Sequence, residues 1–228
     1  MKFLVEPFLH AQGLDSLANV ALTHGDQRRV AGFKRIDTVF HPQFIFTSPV
    51  RSRSPAYREV LDQLEAAPAR WHKVSAGDSV ADWEVLHPAR GSKFDRADDN
   101  ALVLRSTIHG LRVLLLSELG AAGQRDLRTK QLDLRADVVI AAMPDQGEPL
   151  NEELLAAIQP RLIVVADSEY PVLKRAKPAL IERLKVTGVP TLQLAKTGSL
   201  TLKFASDGLA VRSVEGVALA MLAPLAER

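Results

Sequence analysis

Short, wholly apolar runs alternate along this chain with helix-length amphipathic stretches, and that alternation limits the folds open to it. Val138 to Ala142 (VVIAA) and Leu162 to Ala166 (LIVVA) are the clearest runs, followed by the helical patterns Asn151 to Ile158 and Pro178 to Val186. A strand apolar on both faces needs a layer on each side, so helices must cover the sheets. The same pattern gives helices over Phe3 to Gln12, Pro55 to Ala66 and Ala121 to Lys130, with Pro55 suited to a first helical turn. A loop at His24 to Arg29 leads into a short helix near Val30 to Arg35. Strands are expected at Leu17 to Thr23, Phe44 to Thr47, Trp71 to Val74 and Trp83 to Leu86. Ala101 to Ile108 and Leu111 to Leu116 flank His109-Gly110, a pair suited to a tight hairpin turn. Three late strands, Thr191 to Leu194, Leu200 to Phe204 and Leu209 to Val214, precede an apolar terminal helix over Val217 to Leu225. The architecture that follows is an α/β/β/α four-layer sandwich. One domain is expected over residues 1–214, with a C-terminal helical extension over 215–228.

Composition excludes several classes. The chain has 228 residues, 46% of them hydrophobic and 25% charged, which are globular values and not those of a disordered or collagen-like chain. With no cysteine it can have neither disulfides, nor thiolate metal sites, nor a cysteine nucleophile. No apolar run reaches the roughly 18–20 residues of a membrane span, and Glu6 interrupts any signal-peptide pattern at the start, so the chain reads as soluble as encoded. A net charge of +2 names no partner.

Three stretches carry a family resemblance. LDSLANVALTHGDQRRVAGF, WEVLHP with DDNALVLRSTIHGLRVLLLSELG, and ADVVIAAMPDQGEPLNEELLAAIQPRLIVVADSE with PALIERLKVTGVPTLQLAKTGSLTL resemble the extracytoplasmic metallo-β-lactamase-fold domain of the competence DNA-uptake protein ComEC. The likeness runs over residues 3–204. It implies the metallo-β-lactamase-like sandwich already inferred, here lacking the first strands, and so a sheet edge that a missing N-terminal segment or another subunit would cover. It also implies a role in DNA uptake during transformation, DNA and a ComEC-like membrane channel as partners, and a place outside the cell membrane if the chain is part of a longer protein.

The family's metal-binding loop reads LTHxHxDHxGG. Here the corresponding residues run Thr23-His24-Gly25-Asp26-Gln27-Arg28-Arg29, so His24 is kept while Asp26, Arg28 and Arg29 replace other ligands. Glu118 falls where the family has a bridging Asp, Met143-Pro144 where it has a His pair, and Arg175 or Lys177 near its late histidine. His24, Asp26 and Glu118 are the metal candidates that remain. Asp26 and Glu118 are also the catalytic candidates. A guanidinium about 5 Å from a dication costs several kcal/mol at an effective dielectric near 20, so Arg28 and Arg29 read as substitutes for metal charge. The expectation is therefore a chain with no metal cofactor, or one using zinc or manganese if it is an active phosphodiesterase. Each candidate also has a structural reading. His24 can bond adjacent loop backbone, Asp26 can cap the helix after it, Glu118 can pair with Arg28 or Arg29, and Asp98-Asp99-Asn100 can form a turn, with Asn100 near the site.

Between Arg28 and Arg58 seven basic residues face only Asp37. Arg51 and Arg53 lie in the Ser48 to Ser54 loop, where guanidinium groups can grip phosphates bidentately. Arg28, Arg29, Arg51 and Arg53 are thus the candidates for binding a DNA backbone in a salt-sensitive, sequence-independent way. A non-catalytic DNA binder, a metal-dependent nuclease and a structural module of a membrane channel all remain open at this stage.

Overall fold

The computed structural model describes residues 5–130 and 132–223; of Arg28 only the backbone is described. It divides into two compact units, Met1–Leu102 and Val103–Arg228.

The first unit is built around three parallel strands, β1 (Asn19–Leu22), β2 (Phe44–Thr47) and β3 (Trp71–Lys73), in that order. Helix α1 (Val5–Ala11) precedes β1. Two helices, α2 (Gln27–Val30) and α3 (Phe33–Phe40), fill the β1–β2 connection, where a single shorter helix was expected. Gly32 stands at the α3 N-cap, and His41, at φ 42°, ends that helix in the left-handed region. Helix α4 (Pro55–Glu65) joins β2 to β3, with Pro55 in its first turn and the Ser54 hydroxyl accepting from the Tyr57 N–H. Leu22, Ile45, Val30, Phe33, Tyr57, Leu61 and Leu64 form one buried cluster, so β1, β2, α2, α3 and α4 share a core. An antiparallel ribbon, β4 (Ser79–Val80) and β5 (Trp83–His87), follows.

In the second unit strands run in the order β10-β9-β8-β7-β6. β6 (Val103–Ile108) and β7 (Leu111–Ser117) form the expected hairpin. His109 at φ 47° and Gly110 at φ 77° supply the two positive dihedrals that a type I′ turn needs. β8 (Val138–Ala142), β9 (Leu162–Ala166) and β10 (Thr191–Gln193) then add in parallel to β7, joined by α6 (Glu152–Ile158) and α7 (Pro178–Val186). Helix α5 (Ala121–Thr129) links β7 to β8. β8 and β9 are buried almost throughout, as their unbroken apolar sequence requires. A four-residue helix, α8 (Leu194–Thr197), leads into the antiparallel strands β11 (Leu200–Ala205), β12 (Gly208–Ser213) and β13 (Ala218–Leu222).

β13 corrects the terminal helix expected over Val217 to Leu225. Ala218–Leu222 pairs with β12, Leu209 opposite Leu222 and Val211 opposite Ala220. The backbones come so close that a Cβ on Gly208 would lie 2.0 Å from the Leu222 carbonyl oxygen. A run this short gains more by pairing with an available strand than from an isolated helical turn. Residues 224–228, which hold the end of that expected helix and of the expected 215–228 extension, lie outside the described residues. Among the described residues no helix is long and apolar enough to cross a membrane.

Candidate metal and anion site

Parallel strands place their following loops at one edge, and ligands gather outside those carboxyl ends. In the first unit the loop after β1 brings His24 and Gly25 to that edge, and the loop after β2 brings Ser48 to Arg53. Together with Gly91 to Ala97 and Asn100 they line a cavity of about 500 Å³. Gly25 is needed there. A Cβ at this position would sit 2.3 Å from the Ser52 Cβ and 2.5 Å from the Tyr57 ring. The Ser52 hydroxyl donates to the Gly25 carbonyl at 3.0 Å and ties the two loops together.

His24 is only 2% exposed. Its Nδ1 lies 3.2 Å from the Thr23 hydroxyl, and its Nε2 lies 3.8 Å from Oδ1 of the buried Asp98. That second separation is too long for a hydrogen bond between the two atoms. It does suit a shared cation, because two bonds of about 2.1 Å to one ion span up to about 4.2 Å. Asp98 belongs to a 3-10 turn, Asp98–Asn100, in which all three side chains are buried. Asn100 pins the cavity wall. Its Oδ1 accepts from the Phe94 N–H, and its Nδ2 donates to the carbonyls of Phe94 and Arg96.

Arg51, Arg53, Lys93 and Arg96 stand on the cavity lining against a single lining carboxylate, Asp95. All four cations are exposed. Arg51 pairs with Glu65 on α4, and Arg96 lies 4.0 Å from Asp98. The cavity thus has His24 on its lining, with the buried Asp98 3.8 Å from that imidazole, and a cationic rim. Arg29 is exposed on α2 and is not among the lining residues, and the Arg28 side chain lies outside the described ones. Asp26 stands immediately before α2, its carbonyl accepting from Arg29 N–H and Val30 N–H. The carboxylate brought to His24 is that of Asp98, which the sequence pattern marks only as part of a turn.

Other histidines have structural surroundings. His87 is buried, 2.9 Å from the Ala101 carbonyl through Nδ1, and stacks on Phe94. His72 stacks on Phe46, and His109 occupies the hairpin turn.

In the second unit Glu118, directly after β7, is buried and pairs through Oε2 with Nζ of the equally buried Lys174 at 2.8 Å. This partner was not foreseen, since Lys174 lies 56 residues along the chain.

No family model matches the sequence, and neither does any curated protein. A solved structure does match: Igni18, described as a novel metallo hydrolase from the hyperthermophilic archaeon Ignicoccus hospitalis, superposes over 84% of this chain and 80% of its own. The TM-score is 0.51 at 15% identity. That likeness shows the fold. This mixed α/β chain has the fold of a metallo hydrolase.

The expectation of a chain without a metal cofactor is corrected by these findings. His24 and Asp98, both buried in the first unit, are residues of ligating type able to hold a metal ion. The ligands countable in the sequence were those at the family's motif positions, and Asp98 lies outside them. The donor set, one imidazole nitrogen with carboxylate oxygens, suits zinc or manganese.

Proposed function

We propose that this chain is a metal-dependent hydrolase acting on phosphodiesters, with DNA as the preferred class. The observation that carries the reading is His24, paired with the buried Asp98, on a cavity whose rim is lined by Arg51, Arg53, Lys93 and Arg96. His24 and Asp98 would hold the metal. When bound, such a metal supplies a hydroxide from water near neutral pH and polarises a phosphoryl oxygen. The chain's own residues do the rest. The Thr23 hydroxyl beside Nδ1 fixes the orientation of the His24 ring, with Nε2 on the side of Asp98. Arg51 and Arg53 present forked donors that fit phosphate oxygens, and Lys93 and Arg96 add charge from the opposite loop. Asn100 holds that loop in place through three hydrogen bonds. The sequence resemblance to the DNA-uptake domain supports a nucleic acid over other phosphodiesters.

The test combines metal content with hydrolysis. The purified chain is loaded with zinc or manganese, desalted and assayed by mass spectrometry. Turnover of bis(p-nitrophenyl) phosphate and of a labelled single-stranded oligonucleotide is then followed. Retained metal that is lost in His24→Ala and Asp98→Asn, with turnover abolished by EDTA, is expected. Metal content unchanged by either substitution, or turnover indifferent to EDTA, overturns the reading.

A further inference from the structure

The second unit repeats the edge geometry of the first. The segments after β7, β8 and β9 all leave the carboxyl ends of parallel strands, and they carry Glu118, Met143 to Asp145, and Asp167 to Lys174. Lys174 Nζ sits among three oxygens, each 2.8 Å away: Glu118 Oε2, Asp145 Oδ1 and the Met143 carbonyl. The ammonium donates to Glu118 Oε2 and to the Met143 carbonyl, and it pairs with Asp145 Oδ1 by charge. The lysine is 6% exposed and does not reach out to solvent.

Its backbone is fixed as firmly as its head. The Lys174 N–H donates to the Pro171 carbonyl, and the Lys174 carbonyl accepts from the Ser168 N–H. Asp167 anchors the same segment, accepting from the N–H groups of Ala176 and Ala195. The loop therefore aims Lys174 inward by construction, and no swing of a surface side chain is involved.

Two carboxylates and a carbonyl around one buried point make an all-oxygen donor set of the kind that hard divalent cations take. With the oxygens 2.8 Å from the centre, a contraction of a few tenths of an ångström reaches calcium-like bond lengths, and slightly more reaches manganese. We infer that Lys174 is a tethered cation occupying what is otherwise a divalent-metal position between Glu118, Asp145 and the Met143 carbonyl. The lysine keeps that position closed to metal in the natural chain. The inference does not rest on the hydrolase reading, because it concerns residues of the second unit and predicts a change in metal binding whether or not the first unit holds a metal.

The experiment compares metal content in the wild type, Lys174→Met and the double variant Lys174→Met/Asp145→Asn. Each is purified with MnCl2 and, separately, CaCl2, then desalted and measured by mass spectrometry. Lys174→Met is expected to retain one equivalent of Mn2+ or Ca2+ more per chain than the wild type, and the double variant is expected to lose that gain. Equal content in wild type and Lys174→Met overturns the inference. Asp145→Asn in the wild-type background gives an independent reading should Lys174→Met be insoluble. With the ammonium in place this substitution leaves metal content unchanged, whereas a fall of one equivalent makes Asp145 a native metal ligand and overturns the inference. His24→Ala, which tests the hydrolase reading, leaves the increment produced by Lys174→Met intact.

Discussion

Tyr57 links the pH stability of the first unit to the floor of its cavity. The residue lies fully buried on α4, against the place where Gly25 passes. Burial pushes its phenol up to about 12 from the usual 10, opposed only in part by the Thr47 hydroxyl. A proton held more tightly in the folded state adds stability that is fully present below the unfolded pKa and is lost as pH rises through the folded one. The loss therefore falls between pH 10 and pH 12. Across that window stability drops by about 1.36 kcal/mol for each step of one in pH, so by pH 11.5 the fall relative to pH 9 is about 2 kcal/mol. Tyr57→Phe removes the ionisable group and nearly keeps the shape, so the difference between the two proteins isolates this contribution from other groups that titrate at high pH. Tryptophan fluorescence during urea unfolding is the natural assay, because Trp71 and Trp83 both belong to the first unit and Trp71 packs against the Tyr57 cluster. Wild type is expected to lose about 2 kcal/mol more than Tyr57→Phe between pH 9 and pH 11.5. Parallel pH dependences in the two proteins refute the reasoning.

Gly25→Ala forces a methyl group into the Ser52 and Tyr57 side chains, and urea unfolding is expected to show a loss of about 1–3 kcal/mol, with weaker retention of inorganic phosphate by the cavity. Asn100→Ala leaves the Phe94 N–H and the Phe94 and Arg96 carbonyls without their partner, costing about 1–3 kcal/mol and raising proteolytic cleavage between residues 91 and 97. The guanidinium of Arg135, with help from that of Arg112, holds the Asp133 carboxyl well below the usual carboxylate range. Its contribution is accordingly present above about pH 4 and fades as pH falls below that value, and an NMR titration of Arg135→Ala should show the carboxyl returning toward ordinary behaviour.

The fold was largely legible where local and tertiary preferences agree. VVIAA and LIVVA are apolar on both faces and became the buried strands β8 and β9 with their expected bounds. His109-Gly110 became the hairpin turn, since its backbone needs are local. The terminal segment was misread for the opposite reason. Ala218–Leu222 has no strong local preference, and its state is set by β12, to which it pairs, an arrangement no window of sequence contains.

The site follows the same division. His24 was a candidate through the family's loop motif, and Arg51 and Arg53 through the basic Ser48 to Ser54 loop; the parallel β1–β2 pairing carries both loops to one edge. Asp98 was read only as a turn residue, which it is. What makes it chemical is the combination of a 3-10 turn that buries its side chain and the strand end that puts His24 Nε2 within 3.8 Å. Lys174 was missed more completely, because a lysine in sequence defaults to solvent. Its role depends on three oxygen atoms supplied by residues 29 to 56 positions away. Counting ligands only at a family's motif positions therefore underestimates metal sites at sheet edges. There the strand order, more than the spacing along the chain, decides which carboxylate meets which cation.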